Sequence, residues 1–179
     1  MTDLINAYNR VRKVHYKIVD IEYSLSNSNR LINLNSASCT PKHIVLFDTF
    51  CKLGFETRFC VYKFQWSDFK LDFPQNISAL IQNASSDYHT NLEIKIGDHW
   101  IMVDATWDDK LIDAGLPGTK NWNGIDSTIN AVYSNNVSRF NSIEERAIFI
   151  KEKMEGDCDS DKKLELTVAL NNYFKTIRD

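Results

Sequence analysis

Cys39 is the cysteine whose place in the sequence best suits it to chemistry. It stands immediately before Thr40-Pro41, and proline is favoured in the first turn of a helix, so a helix is predicted to begin here. A thiol at a helix N-terminus meets the positive end of the helix dipole, which favours the nucleophilic thiolate. Cys39 is therefore a candidate catalytic nucleophile. The alternative is a small buried hydrophobic side chain, the usual fate of a free cysteine.

The other three cysteines are predicted to be less reactive. Cys51 and Cys60 fall in the interiors of a predicted helix and a predicted strand, where we expect them in the core. Cys158 stands in an acidic loop, which disfavours its thiolate. No CxxC pair is present, so the spacing predicts free thiols and neither a disulfide framework nor a zinc site. No metal or organic cofactor is expected.

A thiolate nucleophile needs a base, and His89 and His43 are the two candidates. His89 begins a predicted strand and Asp104 ends its partner strand, so the carboxylate can fix the tautomer of the imidazole and stabilise its charged form. His43 lies one helical turn beyond Cys39, but no acid on its face of the helix can orient it. His89 is the preferred base, and Cys39, His89 and Asp104 form the predicted catalytic set.

A hairpin predicts that His89 and Asp104 share one face of a sheet. Gly97-Asp98 has the composition of a two-residue turn between two alternating segments. That turn places Asn91 opposite Asp104 and His89 diagonally across from it. Diagonal neighbours have backbones roughly 7–8 Å apart, close enough for an imidazole to meet a carboxylate.

Apolar spacing predicts the elements that must position these residues. A first helix capped by Thr2 carries a stripe through His15 and Ile18, and a second runs from Thr40 to Gly54. Further helices are predicted near residues 76–84, at 143–154 after a Ser142/Glu145 capping box, and along 166–177. Strands are predicted at 57–64, 91–96 and 99–104. The fold class is α+β, with helices flanking a small antiparallel sheet.

The stretch from Trp107 to about Phe140 shows no clear period and is predicted to be a long loop. Loops of this length in compact domains are often functional. Trp66, Trp107 and Trp122 lie in or near predicted loops, where they could either line a substrate cleft or pack in the core.

Three blocks, in order along the chain, carry a resemblance to a known family. They are Cys39-Thr-Pro-Lys-His with the segment 50–59 that follows it, His89 with Glu93 four residues on, and the segment from Trp100 to Trp107 that contains Asp104 and Thr106. Together they cover about residues 36–107, and they resemble the transglutaminase-like superfamily with its papain-like Cys-His-Asp core. The chain departs from the family pattern at two places. Thr90-Asn91 stands where the family often has an aromatic or aliphatic pair, and Ala105 stands where it often has a proline.

The resemblance implies a single transglutaminase-like domain over residues 1–179, with a nucleophile helix packed on a small antiparallel sheet. It implies Cys39 as nucleophile, His89 as general base and acid, and Asp104 as the orienting carboxylate. The implied activity is acyl transfer or hydrolysis on the amide of a protein or peptide, through a thioester. A second enzyme hypothesis is an arylamine N-acetyltransferase. The alternative from another functional class is a catalytically inactive binding or scaffold domain of the same fold.

Composition limits the other partners. The chain has 179 residues and a net charge of −3, which argues against a nucleic-acid or anionic-membrane binder. Its densest basic group, Arg10, Arg12 and Lys13, is predicted to be a solvated helix face. No apolar stretch is long enough to span a bilayer and no secretory signal is recognised, so a cytoplasmic protein is expected.

Overall fold

The structure, a computed structural model, describes residues 1–19, 35–154 and 160–179. The helices are α1 (Thr2–Arg12), α2 (Cys39–Lys52), α3 (Gln75–Gln82), α4 (Asp109–Asp113), α5 (Ile143–Met154) and α6 (Ser160–Arg178). The strands are β1 (His15–Tyr16), β2 (Ser36–Ala37), β3 (Thr57–Phe64), β4 (Asp87–Ile96), β5 (His99–Val103) and β6 (Val137–Phe140). A short 3₁₀ helix spans Trp66–Asp68. The α+β prediction is confirmed.

Four strands form an antiparallel sheet in the order β5-β4-β3-β6. The hairpin joining β4 to β5 pairs Ile96 with His99 and Leu92 with Val103, which is the predicted register. Gly97 has a φ of 57°, and no residue other than glycine has a positive φ in the described part of the chain. A positive φ at the first turn residue followed by a negative φ at the second fits a type II′ turn, whose twist matches that of the two strands.

Two apolar clusters pack on opposite faces of β3. Side chains of α1, α2 and the hairpin form one cluster, which includes Leu4, Tyr8, Phe50, Phe59, Leu92, Ile94 and Trp122. The other cluster joins alternate β3 residues to α6 and the segments around it, and it includes Cys60, Tyr62, Phe64, Trp66, Trp107, Leu170 and Phe174. The alternation of side chains along a strand sends neighbouring residues to opposite faces. Burying each large apolar side chain contributes about 1.5–3 kcal/mol.

The N-terminal prediction is wrong in four respects. Helix α1 ends at Arg12, its N-cap is Met1 and not Thr2, and His15 lies exposed in β1. The stripe ends early because residues 15–16 pair in parallel with β2, just before the start of α2, and so are extended. Arg12 is 3% exposed and pairs with Asp109 at 2.5 Å, so it is not part of a solvated face.

Several smaller predictions are also corrected. Cys51 is exposed although Phe50 beside it in the last turn of α2 is buried, so Cys51 lies on the outer face of this helix. Helix α3 begins at Gln75, one residue before the predicted start, with Pro74 at its N-cap position. The stretch predicted as one long loop contains both α4 and β6. Cys158 lies outside the described residues. Among the helices that are described, none combines the length and apolar content needed to cross a membrane.

Candidate active site

The β4–β5 hairpin brings His89 and Asp104 together. Nε2 of His89 lies 2.7 Å from Oδ2 of Asp104, and each residue is 3% exposed. Both stand on the strand face opposite Leu92 and Val103, as the register predicts. The imidazole and the carboxylate are thus in contact, as the hairpin register predicts.

Asp104 is held by more hydrogen bonds than the one from His89. Its Oδ2 also accepts from Nδ2 of Asn91 at 3.3 Å and from the N–H of Ala131 at 2.9 Å, while Oδ1 accepts from the N–H of Thr106 at 3.1 Å. Burial alone raises the pKa of this carboxyl, but the charge and hydrogen bond of His89 outweigh it and hold the pKa well below its usual range. Asp104 is therefore a fixed anion.

His89 is correspondingly a strong base. Burial lowers its pKa, but the charge and hydrogen bond of Asp104, together with the hydrogen bond to Cys39, raise the pKa to about 10. Because Asp104 occupies Nε2, Nδ1 is the ring nitrogen left for the Cys39 thiol. The imidazole thus carries its proton at neutral pH.

Cys39 is the first residue of α2 and is 9% exposed. Burial raises the pKa of its thiol, but a hydrogen bond and charge from His89, a bond from the backbone N–H of Thr90 and the charge of Arg146 together lower that pKa below its ordinary value. The start of the helix favours the same ionised form. The surroundings of Cys39 therefore favour the ionised thiol beside the protonated imidazole.

The rival histidine, His43, is used within the fold. The N–H of Ala105 donates to its Nε2 at 3.0 Å, so Nε2 is unprotonated and Nδ1–H donates to the carbonyl of Cys39 at 2.8 Å. The ring is fully buried, and burial lowers its pKa to about 4. His43 is a neutral bridge between the first turn of α2 and the residue after Asp104, and it has no free ring nitrogen.

Lys42 makes a second bridge between the same two segments. Its Nζ donates to the carbonyls of Arg12, Ala105 and Thr106 at 3.1, 3.3 and 2.7 Å. These three acceptors match the three N–H bonds of an ammonium group. Burial acts against that charged form and lowers the pKa of Lys42 to about 7. His43 and Lys42 together fix the position of Asp104 relative to Cys39.

The stretch from Trp107 to Phe140 supplies hydrogen bonds that hold Asp104. Its sequence alone does not predict this role. Thr128 Oγ1 accepts from the N–H of Asp104 at 2.8 Å, in addition to the bond that Ala131 donates to the carboxylate. The indole of Trp107 in turn donates to the carbonyl of Ala131 at 3.1 Å. Trp66, Trp107 and Trp122 are 3–4% exposed and belong to the core, not to a cleft.

Sequence reasoning missed the charged residues of this site. Lys42 and Arg146 are 2% and 3% exposed, although lysine and arginine on helices ordinarily face solvent. Arg146 follows Glu144-Glu145 and therefore looks like part of a polar helix face. Its partners are Thr40 and Thr90, more than 50 residues away in the chain, so no local pattern reveals it.

Within residues 1–19, 35–154 and 160–179, no three His, Cys, Asp or Glu side chains are grouped so that they could hold a metal ion. Comparison of the chain with protein-family models, with curated proteins and with solved structures gives no match. Its function is therefore inferred from the chemistry of the site.

Proposed function

We propose that this chain is a cysteine-dependent enzyme of the transglutaminase-like type, which transfers or hydrolyses an acyl group through a thioester. The observation that carries the proposal is the buried pair of His89 and Asp104, with Nε2 2.7 Å from Oδ2, beside the Cys39 thiol whose pKa His89 lowers. The arrangement of elements supports the family: the cysteine begins a helix packed on an antiparallel sheet, the histidine lies in one strand, and the aspartate directly follows the strand paired with it.

The chemistry begins with attack of the Cys39 thiolate on the carbonyl carbon of an amide or ester. The imidazolium of His89 gives its proton to the leaving amine as the C–N bond breaks, which leaves a thioester and a neutral imidazole. Water or an amine then attacks the thioester and gives a proton to His89, and the C–S electron pair returns to Cys39. Asp104 keeps the imidazole oriented and stabilises its charged form throughout.

The start of α2 is the proposed site for the oxyanion of the tetrahedral intermediate. No side chain caps this helix, so no capping group competes for the N–H groups of its first turn. The N–H of Cys39 is the proposed donor, since it belongs to the nucleophile itself.

A second candidate function is a binding or scaffold domain of the same fold that does not turn over. The observation that favours it is the low exposure of the three residues, 9% for Cys39 and 3% for His89 and for Asp104. A substrate can reach the sulfur of an enzyme only through that small opening, whereas a binding domain needs no such access.

An acylation experiment separates the two. The protein is incubated with an activated aryl ester and its mass is measured intact and after peptide cleavage. We expect one acyl group on Cys39, none in Cys39→Ala, and an unchanged yield in Cys51→Ala, which removes an exposed cysteine from the same helix. Release of the acyl group to water or to an added primary amine distinguishes hydrolysis from transfer. No acyl group, or acylation only at Cys51, would rule out the enzyme.

A further inference from the structure

The guanidinium of Arg146 lies between the segment that carries Cys39 and the segment that carries His89. Its Nε donates to Oγ1 of Thr90 at 3.0 Å, and its Nη2 donates to Oγ1 of Thr40 at 2.7 Å. Thr40 directly follows Cys39 in α2, and Thr90 directly follows His89 in β4. One side chain from α5 thus joins the residues that flank the proposed nucleophile and the proposed base.

Arg146 is a buried cation without a carboxylate partner in the described part of the chain. The residue is 3% exposed, none of the acids in residues 1–19, 35–154 and 160–179 forms an ion pair with it, and its Nη1 has neither a hydrogen-bond partner nor contact with solvent. A buried arginine is ordinarily paired with an anion, because removing its charge from water is costly. The acidic group whose charge acts on the pKa of Arg146 is the Cys39 thiol, next to Thr40 in the chain.

We propose that Arg146 is a positioning residue that holds the Cys39 and His89 segments together and supplies a fixed positive charge to the Cys39 thiolate. The inference rests on the proposed role of Cys39 as the nucleophile. It also gives a role to the hydroxyl of Thr90, because the guanidinium needs an acceptor there.

A fixed charge acts at every stage of the reaction, whereas the charge of His89 is lost and regained. The groups that face Cys39 are His89 from β4, Arg146 from α5 and the phenol of Tyr16 from β1, whose pKa is raised well above its usual value by burial and by the thiolate. His89 gives its proton away during acylation, so its charge is absent when the thioester forms. His89 regains a proton from the attacking water or amine, so both cations are present when the C–S bond breaks and the electron pair returns to sulfur, and Arg146 is the one that keeps its charge throughout.

The test measures the apparent pKa of Cys39 in variants that separate charge from hydrogen bonding. The thiolate is followed by its ultraviolet absorbance as a function of pH, after subtraction of the same variant carrying Cys39→Ala. Arg146→Gln removes the charge and keeps a donor for the threonines, and we expect it to raise the pKa of the thiol by about one unit, a tenfold fall in ionisation. Arg146→Lys keeps the charge and should retain most of the lowered pKa.

Lys153→Met, which removes a cation from an exposed position of α5, is the matched control and should leave the thiol unchanged. Equal pKa values in Arg146→Gln and the wild type, or equal shifts in Arg146→Gln and Arg146→Lys, overturn the inference. If Arg146→Gln does not fold, Thr40→Val and Thr90→Val each remove one acceptor of the guanidinium, and an unchanged thiol in both is equally decisive. A wild-type thiol with an ordinary pKa contradicts the proposed function itself, whatever the variants show.

Discussion

His89 and Asp104 meet across the hairpin as diagonal, not directly opposed, residues, with Nε2 of His89 2.7 Å from Oδ2 of Asp104. The place opposite Asp104, one step beyond the last paired residues of the two strands, belongs to Asn91, which donates to the same oxygen. The diagonal leaves the imidazole free to extend towards Cys39 on its other side. A shift of one residue in the register would send the two side chains to opposite faces.

Replacing Asp104 by asparagine should slow acyl transfer by about three to four orders of magnitude, because a neutral amide neither stabilises the imidazolium nor fixes the reactive tautomer. The substitution should also lower the free energy of unfolding by about 1–3 kcal/mol, because the amide N–H₂ must face the donor N–H of Thr106 or of Ala131. Rate and urea denaturation measure the two effects. Asp98→Asn, at the exposed tip of the hairpin, is the control.

The pKa of His89 is a second quantity that should change in Asp104→Asn. In the wild type it is raised to about 10, with the Asp104 carboxylate as the main opposing effect to burial. Loss of the carboxylate should return the titration of this ring, followed by NMR, to about 6.5 or below. An unchanged titration together with an unchanged rate would assign the orienting role to another group.

His43 should make stability depend on pH on the acid side. Its pKa in the folded protein is lowered to about 4 from an ordinary value of 6.5. As pH falls from 6.5 towards 4, the unfolded chain therefore binds a proton that the folded chain excludes, and stability decreases. When the pH falls from 7 to 5, the free energy of unfolding should decrease by about 2 kcal/mol less in His43→Gln than in the wild type. Parallel pH profiles for the two proteins would contradict a buried neutral His43.

Lys42→Met should weaken both the fold and the activity. It leaves the carbonyls of Arg12, Ala105 and Thr106 without their donor, at a cost of about 1–3 kcal/mol for a buried unsatisfied group. Because two of those carbonyls follow Asp104 directly, we expect the rate to fall by up to about 100-fold through misplacement of the carboxylate. Lys52→Met, at the exposed end of the same helix, should change neither the melting temperature nor the rate.

The sheet could be predicted from sequence because its signals are local. Enrichment in aromatic and β-branched residues predicts β3, and the two-residue turn at Gly97-Asp98 sets a register that the structure reproduces. The end of α1 could not be predicted, because His15 continues the helical spacing while its partner, Ser36, lies in a distant part of the chain. Pairing with a distant strand overrode the local pattern.

The site could be predicted only in part, for the same reason. Cysteine, histidine and aspartate have recognisable neighbours, namely a helix start, a strand start and a strand end. The groups that hold them do not: Lys42, His43 and Arg146 bind backbone carbonyls, backbone N–H groups or threonines that are close only after folding. Charged residues on helices are therefore read as solvated until their partners are known.

The most direct test of an activated Cys39 is its competition with Cys51 for iodoacetamide at about pH 6, where an ordinary thiol is almost entirely protonated. Cys51 is exposed and Cys39 is 9% exposed, so accessibility alone favours Cys51. Peptide mass spectrometry gives the rate at each residue. We expect Cys39 to be alkylated first, and this preference to be lost in His89→Ala. Alkylation of Cys51 first, with Cys39 left unmodified in the wild type, would contradict an activated nucleophile at this site.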